Sequence, residues 1–376
     1  MTETAKAGLY IHIPFCLKKC GYCSFYSVAS SQAIPEFLNA IIREMSFYRN
    51  LFYSFDTIYL GGGTPSLLTI GQINAILDAA VKAFHVEPSA EITVEANPGD
   101  LSDDYLKALK AAGVNRLNIG IQSFDDRILN FLGRRHTARE ARAAFDAVRT
   151  AGFSNVGLDL IYGVSGQTVA LWRRDLRLAI GLAPEHLSCY SLSLERATPL
   201  YRRYQRSGLH LPSEKQALDF FLATSRTLTD SGYLHYEVSN YARLETFRSR
   251  HNMKYWRHIS YLGLGPAAHS FHLGRRWWNK ADLDGYLRNL RDDQTPQEAE
   301  ETLSPGQLAL ETLFLSLRTQ EGIDLEAFRK RYGYDLLIEK KDAVNRLIAS
   351  GKLKLDAGHL RPTIAGMAIA DSLALI

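Results

Sequence analysis

Short apolar runs alternate with longer amphipathic segments over the first 200 residues of the chain. The apolar runs have the length of strands, whereas the amphipathic segments repeat with the period of a helix. The pattern predicts strands at residues 9–13, 57–60, 90–96, 115–121, 156–162 and 186–194. It predicts helices near residues 34–50, 70–84, 102–112, 137–151 and 168–182.

The alternation of strands and helices indicates an α/β fold with a parallel sheet. Six βα units predict a partial (β/α)6 barrel that is open on one side, because the pattern does not supply the two further units of a complete barrel. Ligand-binding groups gather at the carboxyl ends of the strands in such sheets. We therefore expect a ligand site built from the segments that follow the first five strands, which are PFC, GGGTPS, ANPGD, QSF and YGVSGQT.

The rest of the chain predicts two further regions beyond a barrel core at residues 1–195. Residues 196–302 are expected to form an irregular extension with one clear helix near 213–231. Residues 303–376 combine helical patterns with a hairpin and a final helix, which predicts a mainly helical, winged-helix-like domain. Such domains often bind DNA, but residues 305–376 contain ten Lys and Arg against nine Asp and Glu. Because a near-neutral module binds phosphates poorly, we expect a structural or partner-binding role and no nucleic acid.

Composition narrows the class of protein. The 376 residues are 46% hydrophobic with a formal charge of +4, so the chain can bury a core and is only mildly basic. The sequence contains no run of about 18 apolar residues, so no transmembrane helix is expected. The start MTETAKAGLY lacks the apolar region of a signal peptide. Four cysteines are too few for a disulfide scaffold. We expect a cytoplasmic protein, with peripheral attachment to the inner membrane left open.

Three of the four cysteines, Cys16, Cys20 and Cys23, lie within eight residues in the segment CLKKCGYC. This spacing is too close for ordinary disulfide pairing, and converging thiolates are metal ligands. Zinc would need a fourth ligand, for which His12 is the nearest candidate. A [4Fe–4S] cluster on three thiolates would leave one iron open to a small chelating molecule. Free buried thiols are the plain alternative, and Cys189 is expected to be such a core residue.

The segment CLKKCGYC, with Tyr22 just before the third cysteine, resembles the signature of the radical S-adenosylmethionine superfamily. The resemblance implies that Cys16, Cys20 and Cys23 hold a [4Fe–4S] cluster. It also implies that S-adenosylmethionine chelates the open iron through its amino and carboxylate groups. Reduction of its sulfonium then gives a carbon radical, which is chemistry that amino acids cannot supply alone.

Two further segments extend the resemblance. VNRLNIGIQSFDDRILNFLGRRH and GLDLIYGVSGQT are similar to the oxygen-independent coproporphyrinogen III oxidase-like family, and the similarity continues down to TLFLSLRTQEGIDLEAF. By themselves, the glycines at 61–63 fit a tight turn or a ligand cradle, and Glu95 fits a solvated carboxylate or a ligand for a ribose or an ammonium group. The resemblance implies that Tyr10, Gly62 and Glu95 contact S-adenosylmethionine. It implies that the neighbouring site, which can hold a second S-adenosylmethionine in the oxidase, is lined by Tyr22, Gly63, Thr64, Gln122, Arg134, Asp159 and Ser193.

The chain departs from the oxidase pattern at two places. The oxidase has a further cysteine two positions after the third, where this chain has Phe25. The oxidase also has a longer segment before the cluster, whereas the first cysteine here is at position 16. Both departures argue against porphyrinogen decarboxylation, so we expect no coproporphyrinogen oxidase activity. Whether the protein catalyses another reaction is left open.

Residues 243–280 contain eight Lys and Arg against one acidic residue, together with three of the four tryptophans. Cations beside aromatic rings suit haem with its propionates, or single-stranded nucleic acid. The segment HNMKYW at 251–256 resembles the H-N-x-x-Y-W motif of the haem chaperone branch of the family, the HemW branch, in which the histidine is associated with haem binding. Imidazole is a good iron ligand, so His251 is the candidate, with a structural histidine as the alternative. His269 fits either a place near the cofactor or a haem ligand.

These observations together predict a haem chaperone that binds a [4Fe–4S] cluster, S-adenosylmethionine and haem. It would pass haem to a recipient protein such as a membrane-associated respiratory enzyme. A homodimer is an expectation that rests only on the exposure of such a cluster. The alternative is a radical S-adenosylmethionine enzyme, an oxidase or a methyltransferase, that acts on a tetrapyrrole.

Overall fold

The computed structural model describes residues 6–373, apart from the side chain of Ser207. Its first half consists of six strands that are separated by helices, as the hydrophobic pattern predicts. The strands are β1 (Ala7–Ile13), β2 (Phe55–Gly62), β3 (Val86–Ala96), β4 (Arg116–Gln122), β5 (Val156–Tyr162) and β6 (His186–Ser191). The helices are α1 (Ile34–Phe47), α2 (Ile70–Ala83), α3 (Asp103–Ala111), α4 (Asp126–Leu132), α5 (Ala138–Thr150) and α6 (Val169–Gly181). Helix α4 was not predicted, because it spans only two turns.

Strands β1 to β6 pair in chain order, and every pair is parallel. They form the centre of a twelve-stranded sheet whose two edges do not meet. The prediction of an α/β fold with an open, partial barrel is therefore confirmed. Because the six strands are parallel, their carboxyl ends all lie on the same side of the sheet, and ligand sites of such sheets are found there.

Residues 196–302 continue the same sheet at both of its sides. Strands β7 and β8 follow β6 in antiparallel pairing, and β9 pairs with β1 in parallel before an antiparallel run to β12. The elements are α7 (Pro199–Ser207), α8 (Glu214–Asp230), β7 (Leu234–Glu237), β8 (Asn240–Ala242), α9 (Arg250–Trp256), β9 (Tyr261–Leu264), β10 (His269–His272), β11 (Arg275–Asn279), α10 (Leu283–Arg291) and β12 (Gln297–Thr302).

The expectation of an irregular extension was wrong as to secondary structure. These six strands have three to six residues each, which is too short for apolar periodicity to show in the sequence. They form by pairing with the edge strands of the parallel sheet. Such pairing is a tertiary effect that a local sequence pattern does not reveal. The predicted helix near 213–231 is α8, and the boundaries of the extension as a domain stay a prediction.

The C-terminal region is mainly helical, as predicted, and carries a small antiparallel sheet in the order β13, β15, β14. The final helix was expected to be continuous, but it is two short helices with a break at residues 368–369. Residues 1–5 and 374–376, which belong to the predicted first and last domains, lie outside the described part of the chain. The elements are α11 (Pro305–Ser316), β13 (Ile323–Asp324), α12 (Leu325–Tyr332), α13 (Leu336–Glu339), α14 (Lys341–Ala349), β14 (Leu353–Asp356), β15 (His359–Pro362), α15 (Ile364–Met367) and α16 (Ala370–Leu373).

The two faces of the parallel strands differ in chemistry. On β1, Leu9, Ile11 and Ile13 are fully buried in the main hydrophobic core, while the alternating Tyr10 and His12 make polar contacts on the other face. The polar face continues on the neighbouring strands and carries hydroxyl, carboxylate, amide and imidazole groups. The sheet therefore has an apolar face that is covered by helices and a polar face that leads to the carboxyl ends of its strands.

Within residues 6–373, no helix combines the length and the apolar character needed to cross a bilayer.

Candidate functional site

The three clustered cysteines lie on the loop that follows β1. Backbone hydrogen bonds of 3.0 Å from the Cys16 amide to the Val28 carbonyl and of 2.7 Å from the Val28 amide to the Pro14 carbonyl close this loop at its base. Cys16, Cys20 and Cys23 are free thiols of intermediate exposure. Residues 16–25, which we call the cysteine loop, therefore form a fixed turn that presents three sulfur atoms beside the carboxyl ends of β1 and β2.

Two side chains from other elements donate hydrogen bonds to these sulfurs. Oγ1 of Thr64 lies 3.4 Å from Sγ of Cys16, and Nη1 of Arg134 lies 3.5 Å from Sγ of Cys20. A thiolate is the form that binds metal, and hydrogen bonds from neighbouring hydroxyl and guanidinium groups suit a metal-bound sulfur. Burial raises the pKa of Cys23 and so favours its neutral thiol, which would lose its proton on binding a metal.

The donor set disfavours the zinc alternative with His12. Nε2 of His12 lies 2.9 Å from the carbonyl oxygen of Tyr26, which can only accept, so this nitrogen carries the proton. Nδ1 then accepts the Tyr10 hydroxyl at 3.0 Å, and no ring nitrogen is left for a metal. Among residues 6–373, no group of three or more His, Cys, Asp or Glu side chains is placed to hold one metal ion. The three thiols fit a multinuclear cluster, in which each sulfur binds a different iron.

A cavity of about 650 Å³ opens beside the cysteine loop at the carboxyl ends of the parallel strands. The structure brings together here twelve of the fifteen residues that the sequence singles out. The predicted residues that line it are Cys16, Cys20, Cys23, Tyr22, Gly62, Gly63, Thr64, Glu95, Gln122, Arg134, Asp159 and Ser193. Because these residues come from separate strands and loops, their convergence is a property of the fold.

Glu95 contributes a partly buried carboxylate to the lining of this cavity. Its Oε1 accepts the Tyr59 hydroxyl at 2.7 Å, and its Oε2 accepts the backbone amide of Gly62 at 3.2 Å. Burial raises the pKa of Glu95 to about 7, although these two hydrogen bonds oppose the shift. Such a group can accept from an ammonium or a hydroxyl of a ligand and responds to pH near neutrality.

The glycine turn after β2 is required by packing. Gly62 has φ +103°, and a Cβ there would lie 2.5 Å from the His12 ring. A Cβ at Gly63 would lie 2.7 Å from the carbonyl oxygen of Phe15. Their amides are already bonded, that of Gly62 to Glu95 and that of Gly63 to the Ile13 carbonyl at 2.8 Å. The turn is thus a structural necessity, and a ligand would meet its surface without using these two N–H groups.

Arg134 and Asp159 place opposite charges in the same cavity. Nη2 of Arg134 donates to the Gly120 carbonyl at 2.7 Å and to Oδ1 of Asn97, while Nε is buried without a partner in the described chain. Oδ2 of Asp159 accepts the Asn118 amide at 2.6 Å, and its Oδ1 is likewise buried and unpartnered there. Burial raises the pKa of Asp159. Buried polar atoms without partners at a cavity are groups that a polar ligand can satisfy.

Gln122 is the last residue of β4, and Ser193 lies in the segment that follows β6. Gln122 has φ +70°, a left-handed conformation that is unusual for a residue other than glycine, and such strain clusters at functional sites. The Ser193 hydroxyl donates to Oε1 of Glu195 at 3.3 Å and is exposed. Both residues line the cavity. Gln122 does so from the end of β4, where its backbone is strained, and Ser193 does so from a position that is exposed to solvent.

Tyr10 does not line the cavity. Its hydroxyl is bound to His12, and its ring lies 6.1 Å from the ring of Tyr59 and 6.3 Å from that of His251. Its direct contact with S-adenosylmethionine stays a prediction. In the structure, Tyr10 supports the residues beneath the cavity instead of facing it.

His251 lies away from the cavity, near the amino ends of β1 and β2, and is 1% exposed. Nδ1 is 2.8 Å from Oγ1 of Thr57, and Nε2 is 2.9 Å from the Tyr255 hydroxyl. The backbone amide of His251 donates to Glu91 at 3.1 Å, which anchors α9 on the polar face. Burial lowers the pKa of His251 to about 3. Because both ring nitrogens are engaged, this is the geometry of a structural histidine, and iron ligation through either nitrogen would require its hydrogen bond to break.

His269 is exposed on β10 and lies outside the cavity as well. It pairs with Trp278 of β11 across the sheet, and the two rings stack with centroids 5.8 Å apart. Burial of part of the ring lowers its pKa. The basic and aromatic segment 243–280 is therefore spread over α9 and three strands and does not form a single haem-sized site.

Several cavity residues were not predicted from the sequence. Asn97 links Thr64 to Arg134, because its Nδ2 donates to the threonine at 3.3 Å and its Oδ1 accepts from the arginine. Asn118 positions Asp159. An asparagine inside the apolar run of β4 is a buried polar residue, and that was a usable indication of a site. The sequence around Asn97 gives no such indication, since asparagine before proline is typical of an ordinary turn.

Comparison with known proteins gives two family matches. Residues 10–179 match the Radical SAM superfamily, and residues 303–369 match the HemN C-terminal domain. The structure is similar to coproporphyrinogen III oxidase (HemN) from Escherichia coli, with a TM-score of 0.86, 23% identity, and coverage of 99% of this chain and 90% of the other. At this identity the similarity shows a shared fold.

Sequence relatives are similar over nearly the whole chain. The haem chaperone HemW of Lactococcus lactis is 34% identical over 96% of this chain and 95% of its own. HemW of a Synechocystis species is 37% identical, with coverage of 86% and 80%. The mitochondrial radical S-adenosyl methionine domain-containing protein 1 of Bos taurus is 34% identical, with coverage of 98% and 87%.

Proposed function

The chain belongs to the HemW family of the radical S-adenosylmethionine superfamily, and on this basis we propose that it is a haem chaperone that carries a [4Fe–4S] cluster and S-adenosylmethionine. The cluster, the bound S-adenosylmethionine, the haem and the delivery step are all parts of this proposal. The observation that supports it best is the convergence of Cys16, Cys20 and Cys23 on one cavity with Glu95 and Arg134.

The chain's own groups suit each part of the two cofactors. Cys16, Cys20 and Cys23 would bind three irons, and the hydrogen bonds from Thr64 and Arg134 would stabilise the negative charge on the sulfurs. A cluster held here would supply the electron for reductive cleavage of the sulfonium of S-adenosylmethionine.

The cavity offers polar contacts for the rest of S-adenosylmethionine. Glu95 would accept a hydrogen bond from its amino group or a ribose hydroxyl, and the unpartnered Oδ1 of Asp159 would accept a second hydroxyl. The cysteine loop and the glycine turn would limit the access of water from the side of β1 and β2. These roles need no movement of the strands, since the side chains already line one cavity.

Delivery of haem extends the proposal to partners. The relatives named as haem chaperones suggest that haem is cargo here, and we propose a respiratory haem protein at the membrane as its recipient. A cytoplasmic protein that docks at the inner membrane, as a monomer or a homodimer, would reach such a recipient. The C-terminal domain, which is near neutral in charge, fits a protein-binding role better than a phosphate-binding one.

An anaerobic titration of the reconstituted protein tests this function. Hemin and S-adenosylmethionine are added, and the haem absorption spectrum and 5′-deoxyadenosine are followed together. A chaperone binds hemin stoichiometrically and passes it to an apo-haem protein without consuming S-adenosylmethionine in proportion. Failure to bind hemin would exclude the chaperone function.

A radical enzyme that acts on a tetrapyrrole is the second candidate. The buried, unpartnered polar atoms of Arg134 and Asp159 favour it, because they suit a reacting site as well as a binding site. Phe25, at the position of a further cysteine in the oxidase, argues against decarboxylation. Coproporphyrinogen III supplied anaerobically with S-adenosylmethionine and a reductant should give no protoporphyrinogen, and its formation would establish the enzyme.

A further inference from the structure

The side chains that donate to the sulfurs of Cys16 and Cys20 both bond to the same asparagine. Oγ1 of Thr64 lies 3.4 Å from Sγ of Cys16, and Nη1 of Arg134 lies 3.5 Å from Sγ of Cys20. Asn97 lies between the two donors, because its Nδ2 donates to Oγ1 of Thr64 at 3.3 Å and its Oδ1 accepts from Nη2 of Arg134. One amide side chain therefore connects the groups that face two different sulfur atoms.

The amide of Asn97 has a single orientation that satisfies both neighbours. A guanidinium has donors and no acceptor, so Arg134 must face the oxygen of the amide. The NH2 group then faces Thr64, whose oxygen accepts from it. The hydroxyl proton of Thr64 is thereby left to point at Cys16, which is the direction that suits a metal-bound thiolate. Asn97 thus sets the direction of the hydrogen bond at Cys16 as well as the place of the arginine at Cys20.

The position of Asn97 is itself fixed by neighbouring loops. Its backbone amide donates to Oγ of Ser66 at 3.1 Å, and this hydroxyl donates to Oδ2 of Asp100 at 2.8 Å. The other carboxylate oxygen of Asp100 accepts from Nη2 of Arg135 at 3.0 Å. These contacts tie the loops after β2 and β3 to the segment after α4, so the chain's own side chains hold Asn97 in place.

A second asparagine beside the same strand shows the contacts of a purely structural residue. Oδ1 of Asn115 accepts the Ile92 amide at 2.9 Å, and its Nδ2 donates to the Ala90 carbonyl at 2.8 Å, so both bonds go to the backbone of β3. The side-chain bonds of Asn97 instead go to side chains that in turn donate to sulfur, and Asn97 lines the cavity. The contacts of Asn97 are therefore directed at the cysteines and not at the strand.

We propose that Asn97 is a positioning residue that sets the reduction potential of the cluster held by the three cysteines. Hydrogen bonds to the sulfurs stabilise negative charge, and reduction adds one negative charge to a cluster. By keeping Thr64 and Arg134 directed at the sulfurs, Asn97 makes the cluster easier to reduce. The inference rests on the proposed function, from which it takes the cluster, and assigns a role to a residue that does not itself bind iron.

The test is a redox titration of the reconstituted protein, with the midpoint potential and the electron paramagnetic resonance spectrum of the reduced cluster as readouts. Asn97→Ala should retain its iron and shift the potential to a more negative value. Loss of a hydrogen bond to a charged sulfur should disfavour one-electron reduction by about tenfold, which corresponds to about 59 mV. A role in packing alone would leave both readouts unchanged.

Variants of Thr64 test the hydrogen bond at Cys16 with Asn97 in place. Thr64→Val keeps the shape of the side chain and removes the hydroxyl, so it should shift the potential in the same direction, whereas Thr64→Ser keeps the hydroxyl and should restore the original value. In the Thr64→Val background, Asn97→Ala should have a smaller effect than in the unaltered protein, because one of its two connections to sulfur is already lost. Full additivity would contradict the connection through Thr64. If Asn97→Ala does not fold, equal potentials of the valine and serine variants overturn the proposal.

Asn115→Ala is the matched control, because it removes an asparagine that bonds only to the backbone of β3. It should leave the potential and the spectrum unchanged. A shift equal to that of Asn97→Ala would show a general effect of loosening the strand and would overturn the positioning role.

The outcomes separate the inference from the proposed function. If the unaltered protein forms no iron–sulfur cluster, the proposed function fails. If the cluster forms and both Asn97→Ala and Thr64→Val keep its potential, the positioning role is wrong while the function stands.

Discussion

The hydroxyl of Tyr59 donates a 2.7 Å hydrogen bond to Oε1 of Glu95, and this bond joins the interior of the sheet to the floor of the cavity. The carboxylate comes from β3 and the phenol from β2, so their relation depends on the parallel register of the two strands. The same carboxylate also fixes the glycine turn through the Gly62 amide. Glu95 is thus both a support of the turn and a ligand group.

Glu95→Gln should weaken S-adenosylmethionine binding by about tenfold to a hundredfold, the loss expected for a hydrogen bond to a charged group. Because the pKa of Glu95 is raised to about 7, the carboxylate forms as pH rises through neutrality. Binding to the unaltered protein should therefore tighten between pH 6 and 8, roughly as the carboxylate titrates, while binding to the variant should not. Calorimetry of S-adenosylmethionine binding measures both effects, and equal pH profiles would contradict the role.

Glu44 should make the fold less stable as pH rises. It is fully buried and accepts hydrogen bonds from the Gly265 amide at 2.8 Å, the Tyr286 hydroxyl at 2.7 Å and the Asn279 amide at 2.5 Å. Burial raises its pKa from 4.5 to about 7, so the unfolded chain loses its proton first and stability falls between pH 4.5 and 7.

Denaturant unfolding of the Glu44→Gln variant isolates this effect. The free energy of unfolding of the unaltered protein should fall by about 3 kcal/mol relative to the variant over that pH range, and the difference should be constant above it. Parallel curves for the two proteins would show that Glu44 does not titrate in this way.

Removal of His251 should affect stability rather than haem. His251→Ala leaves the Thr57 and Tyr255 hydroxyls without their partner in a buried site, so the free energy of unfolding should fall by about 2–4 kcal/mol. The Soret band of bound hemin should keep its position in folded protein. A normal stability together with loss of the haem spectrum would instead support the ligand role that the sequence motif suggests.

Substitution of the clustered cysteines should separate cluster ligands from the core cysteine. Cys20→Ala should abolish the brown absorbance of reconstituted protein and most of its bound iron. Cys189→Ala is the matched control, because Cys189 is buried in β6 as the sequence predicted, and it should retain iron. Iron content and absorbance measure both variants, and equal iron in the two would remove Cys20 from the ligand set.

Much of the central fold could be predicted because local hydrophobic patterns in the sequence indicate its strands and helices. The runs around Leu9, Leu117 and Leu158 are mostly apolar, as is typical of strands buried in a parallel sheet. The short strand β9, by contrast, pairs with β1 some 250 residues away, and its four residues carry no period of their own. Such pairing depends on the folded sheet and cannot be found in a local segment.

The site shows the same division. The spacing of the cysteines identified the thiols, but the contact of Arg134 with Cys20 spans 114 positions and follows only from the fold. The motif around His251 indicated a haem ligand. In the structure, both ring nitrogens form hydrogen bonds, one with Thr57, which lies 194 positions away in the sequence, and one with Tyr255. A motif names residue types, and the environment of a histidine decides whether a lone pair is free.

The most direct test of the account is the metal content and spectroscopy of anaerobically reconstituted protein. We predict about four irons and four sulfides per chain, with an electron paramagnetic resonance signal of the reduced cluster that changes when S-adenosylmethionine is added. Protein that binds zinc or no metal, or a cluster signal that S-adenosylmethionine leaves unchanged, would contradict the claim that three cysteines hold a cluster with one open iron.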